Sequence, residues 1–138
     1  MHGIRVGLMV PINNTTMDRE LTAWLPEGSS CQTLKVPRGP GLLTRETIPA
    51  YVDGAIDLAG QYAQGATDIV AYGCTAAGFL MGPQADAELS ARLQRASGRP
   101  VVTTANAMVQ ILLRTGARRI AGVTPYKDEV NQQLTRYL

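Results

Sequence analysis

A cysteine stands where a predicted buried strand gives way to a predicted helix. Cys74 follows the apolar run ending at Tyr72 and precedes Thr75, in the stretch DIVAYGCTAAGF. The start of a helix carries unpaired N–H groups and a partial positive charge, which lower the pKa of a thiol placed there. We therefore predict that Cys74 is reactive. The alternative is that it is a small buried apolar residue, which is the role we predict for Cys31.

Neutral hydrogen-bonding residues occupy the loops that follow the predicted strands. In an open parallel sheet, ligands bind beyond the carboxyl ends of the strands. Together with helix N-termini, such residues suit a carboxylate ligand. The residues concerned are Asn13, Asn14, Thr15, Cys74, Thr75, Thr103, Thr104, Thr124 and Tyr126.

These loops belong to an alternation of short apolar runs and helical patterns. The patterns predict strands over residues 4–10, 32–36, 65–73, 99–104 and 118–124. They predict helices over residues 15–25, 47–62, 84–96, 105–114 and 127–138. This order indicates an α/β fold, an open parallel sheet with helices on both faces.

Composition narrows the possible functions. The 138 residues are 45% apolar with a formal net charge of +2, which favours one folded domain and gives no reason to expect nucleic acid binding. No apolar stretch is long enough to span a bilayer and no secretion signal is present, so we expect a cytoplasmic protein with free thiols.

The sequence carries none of the common cofactor motifs. It has one histidine, His2, which we expect to have no role, and no Cys-x-x-Cys, so we expect no metal. The loop after the first strand lacks a Gly-x-Gly-x-x-Gly turn, and no Gly-Lys-Ser/Thr loop occurs. We therefore expect no cofactor.

Three motifs in chain order resemble the aspartate/glutamate racemase superfamily, in its branch of maleate cis–trans isomerases and arylmalonate decarboxylases. They are GLMVPINNTTMDREL at 7–21, YGCTAAGFLMG at 72–82, and the segment 101–134, which ends just after the Pro-Tyr loop TPYKD. The resemblance implies a Rossmann-like lobe of the racemase fold, which is one half of a pseudo-symmetric pair.

The resemblance also implies roles for individual residues. Cys74 matches the first-lobe nucleophile, Asn14 matches an asparagine that contacts the substrate carboxylate, and Thr75 and Tyr126 match donors to a carboxylate or enediolate. We expect Asn13 to bind substrate as well, although the isomerases commonly carry serine there. Ala76 departs from a hydroxyl residue found in some decarboxylases.

From the resemblance we expect a cofactor-independent, cysteine-dependent isomerase acting on a small dicarboxylate. Residues 1–138 would form a single α/β lobe, the N-terminal lobe plus the start of a second, and the second cysteine of the family would lie beyond Leu138. A homo-oligomer could also bring two Cys74 thiols to one ligand. The alternatives are a racemase, an arylmalonate decarboxylase, or a non-catalytic module that binds small carboxylates.

Overall fold

A four-stranded parallel sheet forms the centre of the molecule. The computed structural model describes residues 3–138, so His2 lies outside the described residues. The strands lie in the spatial order β2-β1-β3-β4, and every neighbouring pair is parallel. The predicted open α/β sheet is thereby confirmed. Its strands are β1 (Arg5–Pro11), β2 (Ser30–Val36), β3 (Ile69–Tyr72) and β4 (Val101–Thr103).

The central strand β1 is covered on both faces. Successive side chains of a strand point to opposite faces, and the neighbours Leu8 and Met9 are both completely buried. An apolar run of this kind is typical of a parallel strand between two helical layers. The layers contain α1 (Met17–Trp24), α2 (Ile48–Ala59), α3 (Thr75–Met81), α4 (Pro83–Ser97), α5 (Thr104–Arg114) and α6 (Asp128–Tyr137).

The prediction of a fifth strand over residues 118–124 is wrong. This segment forms no strand, and Val123 within it is 98% exposed. A strand persists only where a neighbour satisfies its backbone N–H and C=O groups, and within residues 3–138 no strand lies alongside this segment. The three-residue β4 is therefore the edge of the sheet.

A helix start just after Cys74 was predicted, but α3 was given no bounds of its own. Residues 75–81 form their own short helix, and Gly82, with φ +84°, turns the chain before Pro83 begins α4. A positive φ suits glycine, and proline is favoured at the first position of a helix. The Gly-Pro pair therefore separates two helices that a hydrophobic pattern alone does not distinguish.

A buried carboxylate fixes the last helix to the body of the protein. Asp86 accepts hydrogen bonds from Thr103 Oγ1 at 2.6 Å and from Tyr137 Oη at 2.7 Å. Phe79 of α3 makes edge-to-face contacts with the rings of Tyr126 and Tyr137, with centroids 6.4 and 5.5 Å apart. These contacts hold α6 against α3 and keep Tyr126 at the carboxyl end of the sheet.

No helix within the described residues is long and apolar enough to cross a membrane.

Tyr62 ties the α2 layer to the sheet through a glycine. Its hydroxyl donates to the carbonyls of Leu8 at 2.8 Å and Gln32 at 3.1 Å, bridging β1 and β2. Its ring lies directly over Gly7, where an added Cβ would stand 2.8 Å from the ring carbon Cδ1. Only a residue without a Cβ allows this approach.

We predict that Gly7→Ala lowers the free energy of unfolding by about 1–3 kcal/mol, because the new methyl group overpacks against the Tyr62 ring. Gly54→Ala in α2 is the matched control. No atom lies within 4 Å of its added Cβ, so we expect a gain of about 0.5–1 kcal/mol. Urea unfolding of both variants tests this, and equal effects would contradict the packing argument.

Candidate functional site

A cleft of about 810 Å³ opens at the carboxyl ends of β1, β2 and β3. Its walls come from four segments of the chain that lie far apart in sequence. The lining residues are Pro11 at the end of β1 with Asn13 and Asn14 after it; Arg38 and 42–44 after β2; 73–76 after β3; and 125–127, Glu129 and Val130 around the start of α6. The structure therefore brings together all five predicted site residues, Asn13, Asn14, Cys74, Thr75 and Tyr126.

Cys74 lies on the floor of the cleft and is only 5% exposed. It is the N-cap residue of α3. Burial raises the pKa of its thiol, and this outweighs the opposite influence of the Tyr51 hydroxyl, the Ala77 N–H and the Arg38 charge. The expectation that the helix start gives Cys74 a lowered pKa is therefore wrong, because the cost of burying a thiolate exceeds the gain from nearby dipoles.

Cys31 lies in β2 and does not line the cleft. It is half-buried, pairs with Val6 of β1, and its sulfur stands 3.9 Å from the Thr33 hydroxyl oxygen. Both cysteines are free. Cys31 thus provides an internal reference for the chemistry of Cys74.

The side chain of Asn14 is oriented by the helix that follows it. Its Oδ1 accepts hydrogen bonds from the backbone N–H groups of Thr16 at 3.1 Å and Met17 at 3.0 Å. Asn14 therefore satisfies two N–H groups at the start of α1, although the N-cap residue of that helix is Thr16. Because the amide oxygen is occupied by α1, the Nδ2 group is the end left to meet a ligand, and it can only donate.

Thr75 directs its hydroxyl proton into the protein. Its Oγ1 donates to Thr104 Oγ1 at 3.0 Å, and Thr104 in turn donates to the Tyr72 carbonyl at 3.5 Å. Its hydroxyl would have to give up this hydrogen bond before it could donate to a ligand in the cleft. Its backbone N–H, at the start of α3, remains a potential donor.

Tyr126 is held in place by its own loop. Its backbone N–H donates to Thr124 Oγ1 at 3.2 Å, and its carbonyl accepts from Asn131 Nδ2 at 3.1 Å. Burial and the nearby Cys74 raise the pKa of the Tyr126 hydroxyl, which therefore stays protonated at neutral pH. Tyr126 thus presents a neutral donor close to the sulfur.

The remaining threonines of the predicted cluster serve the fold. Thr103 ends β4 and caps α5 by accepting from the Asn106 N–H at 3.2 Å. Thr15, Thr103, Thr104 and Thr124 do not line the cleft. Within residues 3–138 no group of three or more His, Cys, Asp or Glu side chains could hold a metal ion.

The charged residues that line the cleft were not predicted from the sequence. Arg38, in the loop after β2, lines it and forms no salt bridge with any of the described residues. Lys127 and Glu129 contribute from the start of α6. The rule that ligands bind beyond the carboxyl ends of strands applies to β2 as well, and applying it there would have identified Arg38.

A match to a protein-family model identifies the family of this chain. A family model described as arylmalonate decarboxylase matches residues 6–138. The chain belongs to the arylmalonate decarboxylase family. The resemblance inferred from the three motifs is thereby confirmed.

Members of this family and their relatives include isomerases as well as decarboxylases. The chain is 28% identical over 147 residues to the maleate isomerase of Geobacillus stearothermophilus, an alignment that covers 97% of this chain and 58% of the relative. It is 30% identical over 100 residues to the arylmalonate decarboxylase of Bordetella bronchiseptica, covering 72% of this chain and 42% of the relative. The chain spans less than two thirds of the length of these relatives.

Solved structures of the arylmalonate decarboxylase family and its relatives share the fold. The maleate isomerase of Pseudomonas putida S16 superposes with a TM-score of 0.83 at 24% identity, over 97% of this chain and 58% of that chain. A Nocardia farcinica maleate cis–trans isomerase mutant with a covalently bound succinylcysteine intermediate gives 0.82 at 22% identity, over 97% of this chain and 58% of that chain.

We predict that the alkylation rate of Cys74 by iodoacetamide keeps rising above pH 8.5, where an ordinary thiol begins to level off at about its pKa. The reason is that burial raises the pKa of Cys74, so the thiolate fraction grows at higher pH. Peptide mass spectrometry of the alkylated chain follows Cys31 in the same sample as a reference. A Cys74 profile that is flat above pH 8 would contradict this assignment.

Proposed function

We propose that the chain is the N-terminal lobe and the start of the second lobe of a cofactor-independent isomerase that converts a small cis-dicarboxylate, such as maleate, to its trans isomer. The observation that carries the proposal is the position of Cys74. Its sulfur lies on the floor of the cleft, surrounded by groups that suit a carboxylate.

The charge of the cleft favours a dianion. Arg38 and Lys127 line it against a single carboxylate, Glu129. The guanidinium of Arg38 has no carboxylate partner among residues 3–138, and a guanidinium binds a carboxylate through two parallel hydrogen bonds. Arg38 is therefore the group we assign to one of the two substrate carboxylates.

The second carboxylate would meet neutral donors. The Nδ2 of Asn14 can only donate, and the Tyr126 hydroxyl remains protonated. Hydrogen bonds of this kind strengthen as negative charge develops on the carboxylate oxygens. Each can lower the barrier by about 3 kcal/mol in a site closed to water.

The proposed reaction requires no group beyond the thiolate. The Cys74 sulfur forms a bond to one alkene carbon, and the π electrons move onto the carboxylate of the other carbon to give an enediolate. The former double bond is now single and rotates. The enediolate then expels the sulfur, the double bond re-forms in the trans geometry, and the thiolate is regenerated.

The raised pKa of Cys74 affects this reaction in two opposite ways. It reduces the fraction of thiolate at neutral pH, but a more basic thiolate is also a stronger nucleophile. The succinylcysteine in the Nocardia farcinica isomerase is the product expected when the adduct takes up a proton before the sulfur leaves.

Two observations bear on rival functions. The resemblance implies that decarboxylases usually lack a cysteine at the first-lobe position, so the presence of Cys74 favours isomerisation. The burial of its thiol favours the second candidate, a module that binds a dicarboxylate without turnover. The isomerase forms a covalent adduct with its ligand, whereas the binding module does not.

We predict that the chain incubated with maleate gains the mass of one maleic acid at Cys74, because the sulfur adds to the alkene. Intact mass spectrometry with peptide mapping measures the adduct, and proton NMR follows the appearance of fumarate. Cys74→Ser should lose the adduct, whereas Cys31→Ser should keep it. Saturable maleate binding without adduct or fumarate would overturn the isomerase proposal in favour of the binding module.

We further predict that Arg38→Gln weakens maleate binding by about tenfold or more, because it removes a charge-assisted hydrogen bond to a carboxylate. Calorimetric titration measures the affinity. Arg45→Gln removes the same charge from a residue that does not line the cleft, so its effect should be small and screened by salt. Equal losses in the two variants would show that Arg38 has no specific contact.

A further inference from the structure

Two tyrosine hydroxyls beside Cys74 are buried without hydrogen-bond partners. Tyr51 of α2 is 3% exposed and Tyr72 of β3 is 1% exposed. Among the described residues, neither phenol oxygen has a partner in hydrogen-bond geometry. A buried unpaired hydroxyl is costly, and native proteins contain few of them, so each requires an explanation.

Both hydroxyls lie near the Cys74 thiol and near each other. The three side chains belong to one buried cluster beneath the cleft. Tyr72 ends β3 two residues before Cys74, and Tyr51 approaches from α2 on a different part of the chain. A neutral thiol is a weak acceptor, whereas a thiolate is a strong one, so closer approach of either hydroxyl to the sulfur becomes favourable only when the sulfur carries charge.

We propose that Tyr51 and Tyr72 are positioning residues that donate hydrogen bonds to the Cys74 sulfur once it has lost its proton. The thiol proton leaves to solvent through the open cleft, and both phenol protons stay on their oxygens. The inference rests on the proposed function in that it assigns the groups that hold the nucleophile. It differs in that it concerns the protein before any substrate binds.

The protonation of these groups agrees with the proposal. Burial raises the pKa of Tyr51 and of Tyr72 far above the ordinary range, and the neighbouring Cys74 raises both further, so the phenols remain donors when the thiol ionises. The influence of Tyr51 on Cys74 is the larger of the two. The other titratable or charged groups near the cluster are Arg38 and Tyr126 at the sulfur and Asp86 behind Tyr72.

The test is the pH profile of Cys74 alkylation in Tyr51→Phe and Tyr72→Phe, measured without maleate. We expect Tyr51→Phe to raise the apparent thiol pKa by about one unit and to slow alkylation at pH 7 about tenfold. The Tyr72→Phe shift should have the same sign and be smaller. Because the lost hydroxyl has no partner, the melting temperature of Tyr51→Phe should not fall.

Tyr62→Phe is the matched control. Its hydroxyl is bound to the Leu8 and Gln32 carbonyls, so its removal should lower the melting temperature and leave the Cys74 profile unchanged. Folded Tyr51→Phe and Tyr72→Phe variants that both titrate like the parent chain would overturn the proposal. If Tyr51→Phe does not fold, the Tyr72→Phe profile alone decides.

The outcome is independent of the proposed reaction. A tyrosine-dependent thiol titration in a chain that forms no maleate adduct would overturn the isomerase and retain this inference. If the adduct forms equally fast in the parent chain, Tyr51→Phe and Tyr72→Phe, and the thiol titrations are unshifted, this inference would be overturned and the isomerase retained.

Discussion

The site depends on the parallel pairing of β1 with β3. The register sets Met9 beside Tyr72, and the Gly73 N–H donates to the Met9 carbonyl at 2.7 Å, which continues the pairing one residue past the end of β3. Cys74 therefore leaves the sheet next to the loop that carries Asn14. An added Cβ at Gly73 would stand 2.5 Å from the Met17 sulfur at the start of α1 and 2.8 Å from Val10 Cγ1, so a larger residue would displace both side chains.

Several side chains of the cleft serve the fold and the site together. Asn14 lines the cleft, and its amide oxygen accepts two hydrogen bonds from the start of α1, so only its nitrogen is left to donate. The Tyr137–Asp86 hydrogen bond fixes α6 and, through Phe79, the ring of Tyr126. Tyr51 and Tyr72 differ from these side chains, because their unpaired hydroxyls lower the stability of the folded protein. Proteins commonly tolerate such a cost at functional sites.

Features encoded in local sequence were predictable, and those created by tertiary packing were not. The apolar runs of β1 and β3 and the position of Cys74 between strand and helix could be inferred from neighbouring residues. The run at 118–124 has the same local pattern, yet it forms no strand because no partner lies beside it. Arg38 and Tyr51 come from distant segments, and their approach to Cys74 depends on how the β2 loop and α2 pack. The pKa of the thiol depends on that burial, so the helix-start argument predicted its direction wrongly.

The capped amide of Asn14 has a consequence for selectivity. Its oxygen cannot exchange places with its nitrogen without breaking two hydrogen bonds to α1. A ligand group that meets the Asn14 nitrogen must accept a hydrogen bond rather than donate one. The half-amide of a diacid could therefore meet the Asn14 nitrogen through its carboxylate or its carbonyl oxygen, but not through its NH₂ group.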